Sequence, residues 1–418
     1  MQTENQHFME QSTLQNGVQV TTRELPKAQS VAIGIFMDVG SRDEAAHQAG
    51  IAHALEHMVF KGTDKLDVHQ LAESLDDLGG NANAFTSKER TCFHIHVLYE
   101  DWQKALALLS DMLLNPALPE DEWLREREVI FSEMSMVDDN PDEWVYDQHI
   151  SQVFAGHTMA KPVLGSRETL SSFSVQDLRD YLNANYRGGN VLIVAAGRIQ
   201  HQDLMAEIEQ SQWINSVNKQ PKNRETPEIR CGKHEMARQM EQAQVVASWQ
   251  SENITSPDKP IAWIANQLLG GSMSSILFRE IREKRGLAYS IGSHLSTYTD
   301  AGLLSISCST MPEQLEPCLD VLQQTIADVC QDVPTDMVQR AQRQLTVQFR
   351  MGMDSVEGAM LQLGGLLDES KLYSPLAWVD KVNAVQPEQV QLWLKRQLEM
   401  DALWTIVTPE HHSKTFSG

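Results

Sequence analysis

The chain has 418 residues, 41% of them hydrophobic and 22% charged, which is the balance of a globular protein with packed cores. At this length we expect at least two domains, because a single hydrophobic core stops growing well below this size. The formal net charge of -23 argues against a nucleic-acid-binding protein, which needs basic surface to neutralise phosphates. Basic or neutral peptides are favoured as partners instead.

The cysteine content and the N-terminal residues indicate the cellular compartment in which the protein is expected. The odd number of cysteines and their wide spacing predict neither a disulfide framework nor a thiolate metal site. The cysteines are Cys92, Cys231, Cys308, Cys318 and Cys330. The first residues, MQTENQHFMEQST, lack the basic and apolar regions of a secretory signal, and no apolar run is long enough to span a bilayer. We therefore expect a cytoplasmic protein without a membrane span, although a mature protein of an organellar matrix would look the same.

Strand and helix signals alternate along the first half of the chain. Apolar and alternating runs predict strands at 18–22, 31–39, 81–87, 91–98 and 191–196. Helical periodicity and capping residues predict helices at 53–60, 68–78, 101–114, 119–137 and 200–212. The polar, proline-containing segment 215–230 is predicted to be a linker.

The second half repeats this order of elements. Strands are predicted at 245–249, 288–293, 303–309 and 402–407, and helices at 261–269, 274–285 and 315–332, with further helix to Met400. We therefore predict domains at 1–214 and 231–418, joined by the linker at 215–230. The predicted fold class is α+β, with two similar domains that each contain an antiparallel β-sheet with helices packed mainly on one face.

The helix at 53–60 carries the pattern His53-x-x-Glu56-His57. Residues four apart lie one above the other on a helix, so the two imidazoles can point at one metal ion. The carboxylate of Glu56 can then reach a water molecule and act as general base. A catalytic zinc site usually has three protein ligands, so a further carboxylate is needed from elsewhere in the chain.

The helix at 119–137 offers two candidates for this third ligand. Glu126 and Glu133 are seven residues apart and therefore lie on one face, so helix geometry leaves both open. The strand at 91–98 contains another possible metal-binding pair, His94 and His96. We favour the helical motif because it fits the better-defined template.

Six segments resemble the pitrilysin/insulinase family of metallopeptidases with an inverted zinc motif. They are VGSRDE, HALEHMVFKGT, GGNANAFTSKERTCF, REREVIFSEMSM, KPVLGS and GGSMSSILFREIREKRGLAYS. Similarity covers nearly the whole chain, and in length the chain resembles the processing-peptidase subgroup, as a bacterial relative of the mitochondrial processing peptidase beta subunit. It departs from the family at Ala54, where a large aromatic residue is common. In the second half, the segment at the motif position contains no histidine, so only the first domain should bind zinc.

The resemblance implies one Zn2+ per chain, bound by His53, His57 and Glu133, with Glu56 activating water. Glu126 matches another acidic position of the family, and its implied role is to hydrogen-bond a ligand histidine or to order the site. The implied activity is that of a zinc-dependent metalloendopeptidase acting on peptides or unfolded segments. The alternative is a non-catalytic or heterodimer-dependent structural or presenting subunit, which the full ligand set disfavours.

The resemblance also implies how substrate is held. The strand at 81–87 matches an edge strand to which a peptide adds, with Asn83, Ala84 and Phe85 as substrate-binding residues. Arg285 and Tyr289 match an Arg/Tyr pair that binds the substrate carbonyl. Because a chain of two domains forms half of the chamber of larger relatives, a homodimer is expected to enclose the peptide.

Overall fold

The computed structural model describes residues 9–215, 222, 224–365 and 375–410. Part of the predicted linker, residues 216–221 and 223, therefore lies outside the described residues. The chain divides into two compact units. The first takes its described residues from Met1–Ser135, Lys161–Glu225 and Met351–Ser374, and the second from Met136–Ala160, Thr226–Arg350 and Pro375–Gly418. Each unit is thus assembled from separate stretches of chain, whereas the predicted boundaries follow it continuously.

Strands and helices alternate in both units. In the described residues the strands are β1 (Met9–Thr13), β2 (Gln19–Glu24), β3 (Ser30–Met37), β4 (Asn81–Thr86), β5 (Thr91–Leu98), β6 (Val191–Gly197), β7 (Gly232–Arg238), β8 (Ala243–Gln250), β9 (Ser290–Thr297), β10 (Gly302–Thr310) and β11 (Leu403–Pro409). The helices are α1 (Ile51–Met58), α2 (Val68–Asp77), α3 (Trp102–Leu114), α4 (Glu120–Asp139), α5 (Pro141–Val153), α6 (Arg167–Ser172), α7 (Val175–Asn185), α8 (His201–Gln210), α9 (Lys259–Leu269), α10 (Leu315–Gln331), α11 (Thr335–Asp354), α12 (Val356–Gly365), α13 (Pro375–Ala384) and α14 (Pro387–Leu398). The segment predicted as an α-helix at 274–285 contains a π-helical stretch, Phe278–Glu283.

The two sheets share one topology. The first has the order β1-β2-β6-β3-β5-β4, and the second has the order β7-β11-β8-β10-β9. When the additional edge strand β1 is left out, both sheets consist of five strands. Across each sheet these strands then follow the same order: first, fifth, second, fourth and third along the chain. In each sheet one pair is parallel, β2 with β6 and β7 with β11, and the remaining pairs are antiparallel. The predicted α+β class with two similar domains is confirmed, with one parallel pair per sheet as an addition.

Both faces of the first sheet are apolar. On β3, Ile33 and Ile35 point into the main core, which helices α1, α3, α4 and α7 help to form. Ala32 and Phe36 point to the opposite face, where α12 covers them. A Cβ atom on Gly364 would lie 2.0 Å from the Phe36 ring, so this glycine is what lets α12 approach closely. A helix from late in the chain therefore completes the first unit.

The second sheet is covered in the reciprocal way. Helix α5 lies against β8 and β11, where Val145 packs on Val246 and Val407. Because each sheet has apolar residues on both faces, each needs cover on both sides. The second cover comes from the opposite half of the chain in both cases, and this explains why the units are not continuous in sequence.

A buried histidine anchors α5. His149 is fully buried, with Nδ1 2.8 Å from Thr405 Oγ1 and Nε2 2.7 Å from Ser248 Oγ. Hydroxyl groups can donate or accept, so they satisfy both nitrogens of a neutral imidazole. Burial, assisted by nearby His294, lowers the pKa of His149 to about 3. The fold therefore stabilises the neutral form of this side chain.

We expect His149 to make the protein acid-labile. Because its folded-state pKa lies below the ordinary value of 6.5, its contribution to stability is complete above that value and is lost as pH falls towards 3. The expected slope from this group is ~1.4 kcal/mol per pH unit. Chemical denaturation at neutral pH and at mildly acidic pH measures it, and His149→Gln should flatten the dependence. The exposed His69→Gln is the control. An unchanged slope in His149→Gln would contradict the assignment.

In the part of the chain that the structure describes, no helix combines the length and the apolar character needed to cross a membrane.

Candidate metal centre

Helix α1 is fixed at its first turn by a buried acid. The Glu44 carboxylate accepts hydrogen bonds from Gly50 N–H at 2.8 Å and Ala52 N–H at 2.9 Å, two groups that lack partners within the helix. Burial raises the pKa of Glu44 to about 8, although these two N–H groups favour its ionised form. Gly50 has φ 94°, and a Cβ there would lie 2.6 Å from the Leu164 carbonyl oxygen. The entry to α1 is therefore tightly constrained.

Helix α4 is held against the same core by Trp123 and Ile130, which are both buried. The indole N–H of Trp123 donates to the Phe173 carbonyl at 3.0 Å. Since these two residues are seven apart, their burial fixes the rotation of the helix about its axis. Glu126 and Glu133 each follow them by three residues and face α1 as a consequence.

Three side chains from α1 and α4 converge at one point. Glu133 Oε2 lies 3.6 Å from His53 Nε2 and 3.6 Å from His57 Nε2. One donor atom from each residue lies within 4.8 Å of the other two, so the group could hold a metal ion. Two imidazoles and one carboxylate are a common donor set of catalytic zinc sites. The chemistry of the donor set therefore fits zinc.

Glu126 lies behind His57 and does not face the Nε2 atoms. Its Oε2 is 3.0 Å from His57 Nδ1, and its Oε1 is 2.7 Å from Lys61 Nζ. Burial tends to raise the pKa of Glu126, but its bonds to Lys61 and His57 outweigh burial and lower it. With its proton on Nδ1, His57 donates to Glu126 and directs the Nε2 lone pair towards Glu133. The two acids that helix spacing left equivalent thus have different surroundings.

Glu56 is outside the converging group. Its Oε2 accepts a hydrogen bond from the Thr86 hydroxyl, and Oε1 has no hydrogen bond within the described residues. Burial raises the pKa of Glu56, although the bond from Thr86 lowers it in part. Thr86 could not be recognised from its residue type, because threonine is an ordinary strand residue. The available signal was the strand period of two: Ala82 and Ala84 pack on the core, and Thr86 is the next residue on the same face.

Three of the predicted substrate-binding residues, Asn83, Ala84 and Phe85, lie on β4, which pairs with β5 and with no other strand in the described chain. Asn83 is exposed and Phe85 is 40% exposed, so these side chains point away from the core. Ala84 packs against the core, and its N–H donates a hydrogen bond to Asn83 Oδ1 at 2.9 Å. Strand β4 is therefore an open sheet edge in the described structure.

His94 and His96 share one face of β5 but have separate partners. His94 Nδ1 is 3.3 Å from Glu357 Oε1, and His96 Nε2 is 2.8 Å from Ser30 Oγ. Among the described residues neither histidine belongs to a group of three candidate ligands. The strand pair is therefore not a metal site in this arrangement.

Arg285 and Tyr289 both belong to the second unit. Arg285 Nη1 donates hydrogen bonds to the main-chain oxygen of Glu280 at 2.6 Å and to Glu280 Oε2 at 3.0 Å. Tyr289 is 73% exposed, and its main-chain N–H donates to the carbonyl of Ser309 in β10. Both side chains carry exposed hydrogen-bond donors, and their role in substrate binding stays a prediction.

Fold and site together define a protein of two α+β units with a candidate zinc centre in the first. The chain belongs to the insulinase family of peptidases, family M16. Residues 19–167 match "Insulinase (Peptidase family M16)" and residues 172–345 match "Peptidase M16 inactive domain". The second match fits a second half without the histidine pair.

Curated relatives are similar along most of the chain. An uncharacterized zinc protease of Bacillus subtilis is 33% identical over 403 residues, covering 95% of this chain and 97% of that protein. An uncharacterized zinc protease of Rickettsia felis is 34% identical over 358 residues, covering 84% of this chain and 86% of that protein. Each similarity therefore spans both halves of the chain.

Solved structures share the fold at lower identity. A protease from Helicobacter pylori has a TM-score of 0.88 and 20% identity, covering 96% of this chain and 99% of that chain. A peptidase M16 inactive domain from Pseudomonas fluorescens has a TM-score of 0.87 and 20% identity, covering 96% and 98%. These similarities extend over the whole fold.

Proposed function

We propose that the protein is a zinc-dependent metalloendopeptidase that hydrolyses peptides or unfolded polypeptide segments. The observation that carries the proposal is the convergence of His53, His57 and Glu133 on one point. Membership of the M16 family and the zinc-protease descriptions of its relatives support it. Catalysis is assigned to the first unit and substrate positioning to the second.

One Zn2+ per chain would be held by His53, His57 and Glu133, with Glu126 orienting His57 from behind. When bound, the ion would polarise the scissile carbonyl and lower the pKa of water. The bond between Glu126 and Lys61 keeps this carboxylate directed at His57 Nδ1. The histidine therefore has its donor side satisfied before any ligand arrives.

Glu56 acts as the general base in this proposal. Its Oε1 is free of hydrogen bonds within the described residues and is available to accept a proton from water. The water oxygen bonds to the carbonyl carbon and the C–N bond breaks. Glu56 then delivers the proton to the leaving amine, so the base is regenerated.

The open edge of β4 is proposed to bind the peptide as an added strand. Ser87 N–H donates to the Arg90 carbonyl at 2.7 Å, which sets the alternation of bonds along the β4–β5 ladder. By this alternation Asn83 and Phe85 bond β5, while the main-chain groups of Ala84 and Thr86 face the open side. Such an edge supplies main-chain hydrogen bonds to an extended peptide.

We propose further that Arg285 and Tyr289 donate hydrogen bonds to the substrate carbonyl, and that a homodimer encloses the peptide in a chamber. An unpaired strand edge such as β4 is normally protected, which supports an enclosed arrangement. The compartment is proposed to be the cytoplasm, since all five cysteines are free.

We expect the purified protein to contain zinc and to hydrolyse an unstructured fluorogenic peptide. A chelator should reduce hydrolysis to background, and added Zn2+ should restore it, because the three ligands supply the proposed catalytic ion. Metal analysis and the assay are made on the same samples, with molecular mass measured at assay concentration. Undiminished hydrolysis after complete zinc removal would contradict the proposal. Zinc bound without hydrolysis would favour the presenting-subunit alternative.

A further inference from the structure

The hydroxyl of Thr86 is the hydrogen-bond donor to Glu56 in the described structure. Glu56 lies on α1, whereas Thr86 is the last residue of β4. Thr86 is β-branched, which restricts its side-chain rotation, so the strand determines where the hydroxyl points. The carboxylate of Glu56 is therefore oriented by β4 as well as by its own helix.

Thr86 has a second property that follows from its place in the ladder. Its side chain points to the α1 side of the sheet, in register with Ala82 and Ala84, which pack on the core. Its main-chain N–H and C=O face the open edge, because Thr86 pairs with Thr91 one position before the hydrogen-bonded pair of Ser87 and Arg90. One residue thus contacts Glu56 with its side chain and presents its main chain at the sheet edge.

We propose that Thr86 is a positioning residue that aligns Glu56 with a peptide bound at the β4 edge. The inference rests on the proposed function and adds a residue to it. A peptide that pairs with the main chain of Thr86 has its register fixed relative to the hydroxyl that holds the base. Glu56 and the scissile bond are then located by the same residue, which reduces the motion needed to bring them together.

Removing the hydroxyl tests the proposal. Thr86→Val keeps the shape and strand preference of the side chain, and Thr86→Ser keeps the hydroxyl. We expect Thr86→Val to lower kcat by ~100-fold with KM little changed, because the edge still binds peptide while the base is misaligned. Thr86→Ser should recover most of kcat. Thr22→Val is the matched control, since it removes a strand hydroxyl that bonds a different side chain, His201.

A second measurement uses protein without metal or substrate. Thr86→Val should lower the Tm of the metal-free protein by about 2 °C, because it leaves the partly buried Glu56 carboxylate without its donor. In a Glu56→Ala background the same substitution should have a smaller effect, since no carboxylate is left unpaired. Zinc content should equal that of wild type in both threonine variants.

The outcomes separate this inference from the proposed function. Wild-type protein without chelator-sensitive hydrolysis would overturn the proposed function, and the inference with it. Normal wild-type hydrolysis with an unchanged kcat in Thr86→Val would overturn the inference alone. Equal Tm shifts in the two backgrounds would do the same, because the hydroxyl would then not act through Glu56. A fall in kcat that Thr86→Ser reverses, with unequal Tm shifts, supports the proposal.

Discussion

Glu56→Gln is expected to abolish peptide hydrolysis and to leave zinc content unchanged. Glutamine has nearly the same volume, and its amide oxygen can still accept the hydrogen bond from Thr86. The amide cannot accept the proton of an attacking water molecule, so the general-base contribution is lost. We expect kcat to fall by ~10²–10⁴-fold.

Peptide hydrolysis and metal analysis of the same preparation measure this effect. Glu128→Gln, at an exposed position of α4, is a matched control for the loss of one negative charge. Turnover within a few-fold of wild type in Glu56→Gln would exclude Glu56 as the base. Loss of zinc in that variant would instead show that Glu56 helps to bind the metal.

Glu133→Gln is expected to weaken zinc binding more than any other change to an acidic residue of the site. A neutral amide oxygen is a poorer ligand than a carboxylate, so both affinity and hydrolysis should fall. Glu126→Gln should cost about 10–100-fold in zinc affinity, which is typical of a residue that orients a ligand histidine. The substitution at Glu133 should cost more than that.

Competition with a chelating dye measures the zinc affinities of the two variants under identical conditions. The pair is well matched, because both residues lie on one face of α4 and both contact His57. A larger loss in Glu126→Gln than in Glu133→Gln would reverse the assignment. Equal and unchanged affinities would remove both acids from the zinc site.

The sequence carries the local part of the candidate site but not its three-dimensional completion. The spacing of His53, Glu56 and His57 is sufficient to place two imidazoles together, because helix geometry is local. Helix spacing cannot distinguish Glu126 from Glu133 as the third ligand, since both lie on one face of α4. The burial of Trp123 and Ile130 sets the rotation of that helix, and this is a tertiary effect.

The fold was predictable to a similar extent. Strongly apolar or periodic elements such as β3, α3 and α10 are found close to their predicted bounds. Edge strands β1 and β7 were not predicted, because their exposed and polar residues give no apolar run. Each sheet is covered on one face by a helix from the other half of the chain, the first by α12 and the second by α5. This reciprocal cover was not predictable either, since a helix pattern does not identify the sheet that the helix covers.

The reciprocal cover of the two sheets has a consequence for biosynthesis. The first sheet receives its second cover, α12, only after the ribosome has made the chain as far as Gly365. Until then, Ala32, Phe36 and their neighbours on that face lack the helix that buries them. Nascent protein must therefore carry an uncovered apolar sheet through most of translation, which is a state that chaperones bind and that aggregates readily. Expression of the first half alone should for the same reason yield an aggregation-prone fragment.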